Sequence, residues 1–222
     1  MPEKNKKILC IGAHFDDIEI GAGGFVARAK KSGSQVKLII VGNGEYPTLS
    51  GESIRTKEVA QDEGINAGKH LGIEKEDIIC LNYPEGSIPY DKEIIGRIET
   101  LIKDFSPDLI ITHWYHDTHQ DHINVASAVV SAARYFDNLL MWEPIFPSGR
   151  HSPIPFVPQF YIDISDFTNQ KRLALESHFS QVKKFEHNGI SWVNGIMARA
   201  QYRGFECQSG YAEVFYVYRM KN

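Results

Sequence analysis

Short apolar runs alternate with longer stretches of helical periodicity along the first 135 residues of the chain. The runs Lys7–Ala13, Gln35–Val41, Asp77–Leu81 and Asp108–Thr112 predict strands, being short and rich in β-branched residues. Between them, Gly21–Lys31, about Glu52–Leu71, Lys92–Asp104 and about Gln120–Tyr135 predict helices. That rhythm means parallel strands joined by crossover helices. The expected fold class is α/β: a Rossmann-like, mainly parallel sheet flanked by helices, with the site at the C-terminal ends of the strands.

The pattern changes at Trp142–Pro158, which holds Pro144, Pro147, Pro153, Pro155 and Pro158. Proline neither donates to a central ladder nor continues a helix, so this stretch predicts a loop that could act as a lid. Beyond it come a strand at Gln159–Ile164 and a helix opened by Ser165 or Asp166 that runs through Lys171–Lys184. A helix around Trp192–Tyr202 and a last strand, Ala212–Tyr218, follow. With no repeat or linker in 222 residues, one domain over 1–222 is expected.

Composition narrows the partners. The chain is 42% hydrophobic and 23% charged with a net charge of -4, which offers nothing to attract nucleic acid or an anionic membrane. The apolar run after the first seven residues is too short for a signal segment, and no other segment is long and apolar enough for membrane insertion. Cys10, Cys80 and Cys207 are odd in number and far apart, which suits reduced thiols in a cytoplasmic protein. A small-molecule partner is the expectation.

Two polar clusters carry the chemistry. The first, His14-Phe15-Asp16-Asp17-Ile18-Glu19, ends a strand directly in groups that are costly to bury, followed by Gly21, Gly23 and Gly24, which let a helix begin close to the sheet. A dinucleotide site would need a third glycine where Val26 stands, and the carboxylates would repel a pyrophosphate. Imidazole and carboxylate are both zinc ligands, and one turn can present His14 and Asp17 to one ion. A solvated acidic turn that caps the helix remains the alternative for this cluster alone. The second cluster places His113, His116, His119 and His122, four of nine histidines, within ten residues just after the strand at Asp108–Thr112. A helix starting near Gln120 would bring His119 and His122 to one side, whereas His113 and His116 fit a solvated loop. Together His14, Asp17 and His122 would make a three-ligand site, and three ligands leave a position open for water, as catalytic zinc requires.

With these residues in view, the chain resembles the LmbE-like, PIG-L family of zinc-dependent N-acetylglucosaminyl deacetylases. The family's Ala-His-Pro-Asp-Asp turn is matched by Ala13-His14-Phe15-Asp16-Asp17, and its His-x-Asp-His by His119-Gln120-Asp121-His122. An Arg-x-x-Glu signature is matched by Arg55-Thr56-Lys57-Glu58, and the closing Tyr-Ala-Glu by Tyr211-Ala212-Glu213. The resemblance implies zinc, with another divalent ion as the alternative, on His14, Asp17 and His122. It implies that Asp16 is the general base for a metal-bound water. It further implies that a protonated His119 stabilises the oxyanion or helps the amine leave, with Asp121 keeping that imidazole charged and oriented. Arg55 would contact a substrate hydroxyl or phosphate, and Tyr211 would close over the reacting carbonyl. Phe15 departs from the family's proline and leaves the turn freer, or walls the pocket.

The expected function is hydrolysis of the N-acyl, most simply N-acetyl, amide of an amino sugar or sugar conjugate. The alternatives are a metal-dependent hydrolase of another acyl or ester substrate, and a Rossmann-like binding module without turnover. Glu19 stays open between orienting a ligand and serving as a helix-terminal carboxylate; Tyr83 or Glu85 would lie at the crevice edge. His70, His178 and His187 fall in helical patterns and receive no role. A homo-oligomer is left open, with the segment around Phe146 and Phe156 as the candidate surface.

Overall fold

In the computed structural model, which describes residues 5–47, 53–148, 152, 154–187 and 189–221, the apolar runs become the strands of one sheet. The N-terminal half comprises β1 (Lys7–Gly12), α1 (Asp17–Lys31), β2 (Gln35–Gly42), β3 (Tyr46–Pro47), β4 (Ser53–Arg55), α2 (Lys57–His70), β5 (Ile78–Tyr83) and α3 (Lys92–Phe105). It continues with β6 (Leu109–His113), α4 (Gln120–Ala132), β7 (Leu139–Trp142), β8 (Phe160–Asp163), α5 (Thr168–Ser177), α6 (Phe179–His187), α7 (Trp192–Glu206) and β9 (Ala212–Arg219). The sheet runs β5-β2-β1-β6-β7-β9-β8. Its first five strands are parallel; β9 is antiparallel to β7, and β8 to β9. The β3–β4 pair forms a separate hairpin.

Because the central strands are buried on both faces, alternate residues feed two cores. Ile8 and Cys10 of β1 pack with α1, α2, α5 and α7, whereas Leu9 and Ile11 pack with α3 and α4. On α3, Ile94, Ile98 and Ile102 recur every fourth residue and are fully buried, each worth about 1.5–3 kcal/mol. Asp91 caps this helix by accepting from the N–H groups of Glu93 and Ile94. The result is a single α/β domain of helix, sheet and helix layers, mainly parallel as expected.

Several boundaries differ from the sequence reading. Helix α1 begins at Asp17, so Gly21, Gly23 and Gly24 lie inside it rather than opening it. Their role is close packing: a methyl group at Gly21 would overlap the Trp142 ring, and one at Gly24 would sit 2.7 Å from Ile164. The helix expected through Lys171–Lys184 breaks at His178 into α5 and α6. Strand β7 occupies the gap before the proline-rich segment, of which Pro153 lies outside the described residues, as does Glu52 at the expected start of the second helix. The three cysteines are unpaired, and among the described residues no helix is long and apolar enough to cross a membrane.

Candidate active site

The chain leaves β1, moves outward through β2 and β5, and returns to β6 on the other side of β1, so strand order reverses between β1 and β6. In such sheets the crevice opens at that point, beyond the strands' carboxyl ends. Both polar clusters emerge there. The first turn is clamped from both sides: the Ala13 N–H donates to His113 Nε2 at 2.9 Å, and the Gly42 N–H donates to the Ala13 carbonyl at 2.8 Å. Phe15, 2% exposed, plugs into the core, where Gly44 and Gly64 leave room for its ring. It neither frees the turn nor walls the cavity; burial anchors it where proline would otherwise fix the backbone.

His14 and His122 face each other. His14 Nε2 lies 3.0 Å from Asp121 Oδ2, and His122 Nδ1 lies 2.9 Å from Asp117 Oδ2. Each imidazole thus spends its outward N–H on a buried carboxylate, the arrangement that fixes the tautomer of a metal-binding histidine. The inward nitrogens, His14 Nδ1 and His122 Nε2, are 3.2 Å apart. Asp17 completes the set, with Oδ2 3.4 Å from His14 Nδ1 and Oδ1 3.2 Å from His122 Nε2. Two imidazole nitrogens and the Asp17 carboxylate, whose Oδ2 also accepts the His14 backbone N–H at 2.6 Å, thus meet at one place. Ligands about 2.0–2.2 Å from a tetrahedral ion lie about 3.3 Å from one another, so the spacing fits zinc.

Two other groupings, His14/His119/His122 and Asp17/His113/His122, also approach a common point. In each, one histidine nitrogen is already hydrogen-bonded to the backbone. His113 Nε2 already accepts the Ala13 N–H. His119 caps α4 by accepting the Asp121 N–H on Nδ1 at 3.2 Å, which leaves its proton on Nε2, a donor rather than a ligand.

The electrostatics follow from this packing. Burial works against the charged form of His14 and His122, but the carboxylates of Asp17, Asp121 and Asp117 prevail; His14 is held well above its usual pKa and His122 is raised to about 9. Burial would raise Asp17, yet the neighbouring histidines hold it well below the usual carboxylate range. His119 is pushed down to about 4, first by burial and then by His122 and His14. In the metal-free protein His119 is thus held toward its neutral form, whereas the expectation was of a protonated ring. Its expected partner is corrected too: the Asp121 carboxylate faces His14 and accepts from the Gly86 and Ile88 N–H groups at 2.6 and 3.1 Å.

These groups open into a cavity of about 520 Å³. Asp16 lines it and makes no capping bond to α1. Arg55, 4% exposed, lines it too, donating from Nε to the Gly44 carbonyl at 2.8 Å and from Nη2 to Glu85 at 3.4 Å. Tyr211 does not reach the cavity. Its N–H donates to Ser165 Oγ and its ring packs into the core, so its expected place over the carbonyl is withdrawn. Within the same motif Glu213 is the anchored group: it accepts the Gly24 and Phe25 N–H groups and pairs with Lys171 at 2.5 Å.

Sequence reasoning missed Asp117, whose signal was its position five residues before His122. It also placed His113 in solvent, whereas that ring is 1% exposed, stacked on His122 and set edge-on to Trp142. His178, passed over as an ordinary helix histidine, is fully buried, 3.6 Å from the buried Glu19. Burial lowers its pKa, but the carboxylate of Glu19 outweighs this and raises it.

The PIG-L family, described as GlcNAc-PI de-N-acetylase, is matched by residues 9–133, which span both clusters. A diacetylchitobiose deacetylase of Thermococcus kodakarensis is 28% identical over 190 residues, covering 79% of this chain and 70% of its own. YaiS of Escherichia coli, an uncharacterised deacetylase, is 31% identical over 184 residues, covering 80% and 92%. Among solved structures, a 4-carboxy-2-hydroxymuconate hydratase of Pseudomonas putida superposes with a TM-score of 0.81 at 18% identity, covering 98% of each chain, a likeness of fold alone.

Proposed function

The chain belongs to the PIG-L family, and from that premise we propose that it hydrolyses the N-acetyl amide of an amino sugar or sugar conjugate at a zinc centre formed by His14, Asp17 and His122. The observation that carries this reading is the convergence of three metal-ligand side chains, His14, Asp17 and His122, backed by Asp121 and Asp117, in the lining of one cavity. A divalent ion bound there supplies Lewis-acid polarisation of the amide carbonyl and acidifies water. The relative named a diacetylchitobiose deacetylase supports an N-acetylated amino sugar as substrate.

The remaining steps fall to side chains of this chain. Asp16 lines the cavity one residue from a ligand, placed to take a proton from the attacking water and pass it to the departing nitrogen. The Nε2–H of His119 donates to the oxygen on which negative charge develops. Arg55 offers a buried donor, Nη1, that makes no hydrogen bond among the described residues, with Glu63 4.0 Å away, and suits a sugar hydroxyl. The three unpaired cysteines support a cytoplasmic site of action.

The zinc-loaded protein should release one amine and one acetate per turnover from N-acetylglucosamine or its glycosides, and little acetate from matched O-acetyl esters. Acetate release from the esters alone would assign an esterase instead.

A further inference from the structure

Three of the buried side-chain atoms that make no hydrogen bond among the described residues lie together beside the first turn of α1. They are Glu19 Oε2 and both ring nitrogens of His178. His178 is 0% and Glu19 3% exposed, and His178 Nε2 stands 3.6 Å from Glu19 Oε2, just beyond hydrogen-bond length. Burying such groups without partners is costly, and an apolar side chain would fill the space with less penalty. Packing alone does not account for them.

The His178 ring sits at a junction. On one side it ends α5, and its carbonyl accepts the N–H groups of Gln181 and Val182 at 2.9 and 3.0 Å as α6 begins. From α6, Gln181, Lys184 and Phe185 line the cavity. On the other side, Glu19 follows Asp16 by three residues, a spacing that puts both carboxylates on one face of the turn, where like charges repel. Asp16 makes no capping bond that would hold its own carboxylate against that repulsion. The third carboxylate near the ring, Glu63 of α2, is spent on α6, accepting the Ser180 N–H and the Ser180 hydroxyl at 2.7 Å each. Burial lowers the pKa of His178, but Glu19 first, and then Asp16 and Glu63, raise it. The ring therefore lies in the field of the base as well as beside Glu19.

Resting on the deacetylase reading, we propose that His178 is a positioning residue for Asp16. Its ring engages the Glu19 carboxylate, screens that charge from Asp16 one turn away, and so leaves Asp16 turned toward the attacking water.

The test is a double-mutant cycle on the zinc-loaded protein that reads zinc content, kcat and KM for amine release from N-acetylglucosamine. His178→Leu should keep its zinc and a KM within about twofold of the wild type, while kcat falls about 10–100-fold, as when a reacting group is misplaced by about an ångström. His178→Gln, which returns an N–H near the Nε2 position, should recover most of that loss. Added to Asp16→Asn, His178→Leu should lower the residual kcat less than about twofold, because it acts only through Asp16. Where His178→Leu loses its fold, His178→Asn, polar but too short to reach Glu19, takes its place with the same expectations. An unchanged kcat, a loss confined to zinc content or KM, or an equal fall in kcat with and without Asp16 would overturn the proposal. No amine release by a wild-type protein that holds its zinc would sink the deacetylase reading, and the proposal with it.

Discussion

Asp117 and Asp121 hold the outward nitrogens of His122 and His14, so the two rings proposed as ligands owe their direction to these carboxylates. Asp117→Asn and Asp121→Asn should each weaken zinc binding by about 10–100-fold, measured by competition with a chelator. An Asp121→Asn protein with undiminished zinc affinity would contradict the assignment. The sequence made His14, Asp17 and His122 legible because each ends an apolar strand or opens a helix at the crevice. It misled for Asp121, since proximity to His119 suggests a partnership. Residues two apart at a helix start point away from one another, and the carboxylate turns to β1 instead. Asp117 needed the first turn of α4 to be seen in space, and His178 needed the break between α5 and α6. Phe15 was misread because the glycines that receive it, Gly44 and Gly64, are remote in sequence.

Helix α1 is the element on which the site turns, and a buried ion pair enters it from the side. Lys171 Nζ donates to the carbonyls of Glu19 and Ile20, while Glu213 accepts the N–H groups of Gly24 and Phe25. These backbone groups would otherwise serve the helix's own ladder, so α5 and β9 help fix the turn that carries Asp16 and Asp17. Lys171→Met leaves Glu213 buried without its cation and should cost about 3–5 kcal/mol in urea unfolding. A loss under about 1 kcal/mol would show that the pair does not brace the helix. None of this was legible in the sequence, where Lys171 reads as one more helix lysine. The long, periodic elements were legible; β7 and the β3–β4 hairpin were not. Leu139–Trp142 is only four residues, and its identity as a strand comes from pairing with β6 and β9.

At the scale of the whole molecule, the reversal of strand order beside β1 brings residues a hundred apart into one acidic, histidine-rich centre, and stability becomes linked to pH. In the metal-free protein, His122 titrates at about 9 against 6.5 for an unperturbed imidazole, and His14 is raised as well. Groups raised in the folded state contribute fully below about pH 6.5 and lose that contribution as the pH climbs through about 9. For His122 the rise corresponds to about 3 kcal/mol at most, and Asp17 is the other side of the same interaction rather than an addition to it. Metal-free protein should therefore lose stability in urea between pH 6.5 and 9, and zinc, which displaces those protons, should flatten the trend. A flat metal-free profile would contradict the charge assignment. The alternation of strands and helices announced this architecture; the antiparallel edge of β9 and β8 did not show, because single-sequence periodicity carries no strand direction. The central claim is deacetylation at one zinc centre with Asp16 as base. It is tested most directly by zinc content and amine release from N,N′-diacetylchitobiose, measured together on the wild-type and Asp16→Asn proteins. One zinc per chain in both, with release at least about 100-fold lower in the variant, is the expected result. Undiminished release by Asp16→Asn, or none by a wild-type protein that holds its zinc, would contradict the account.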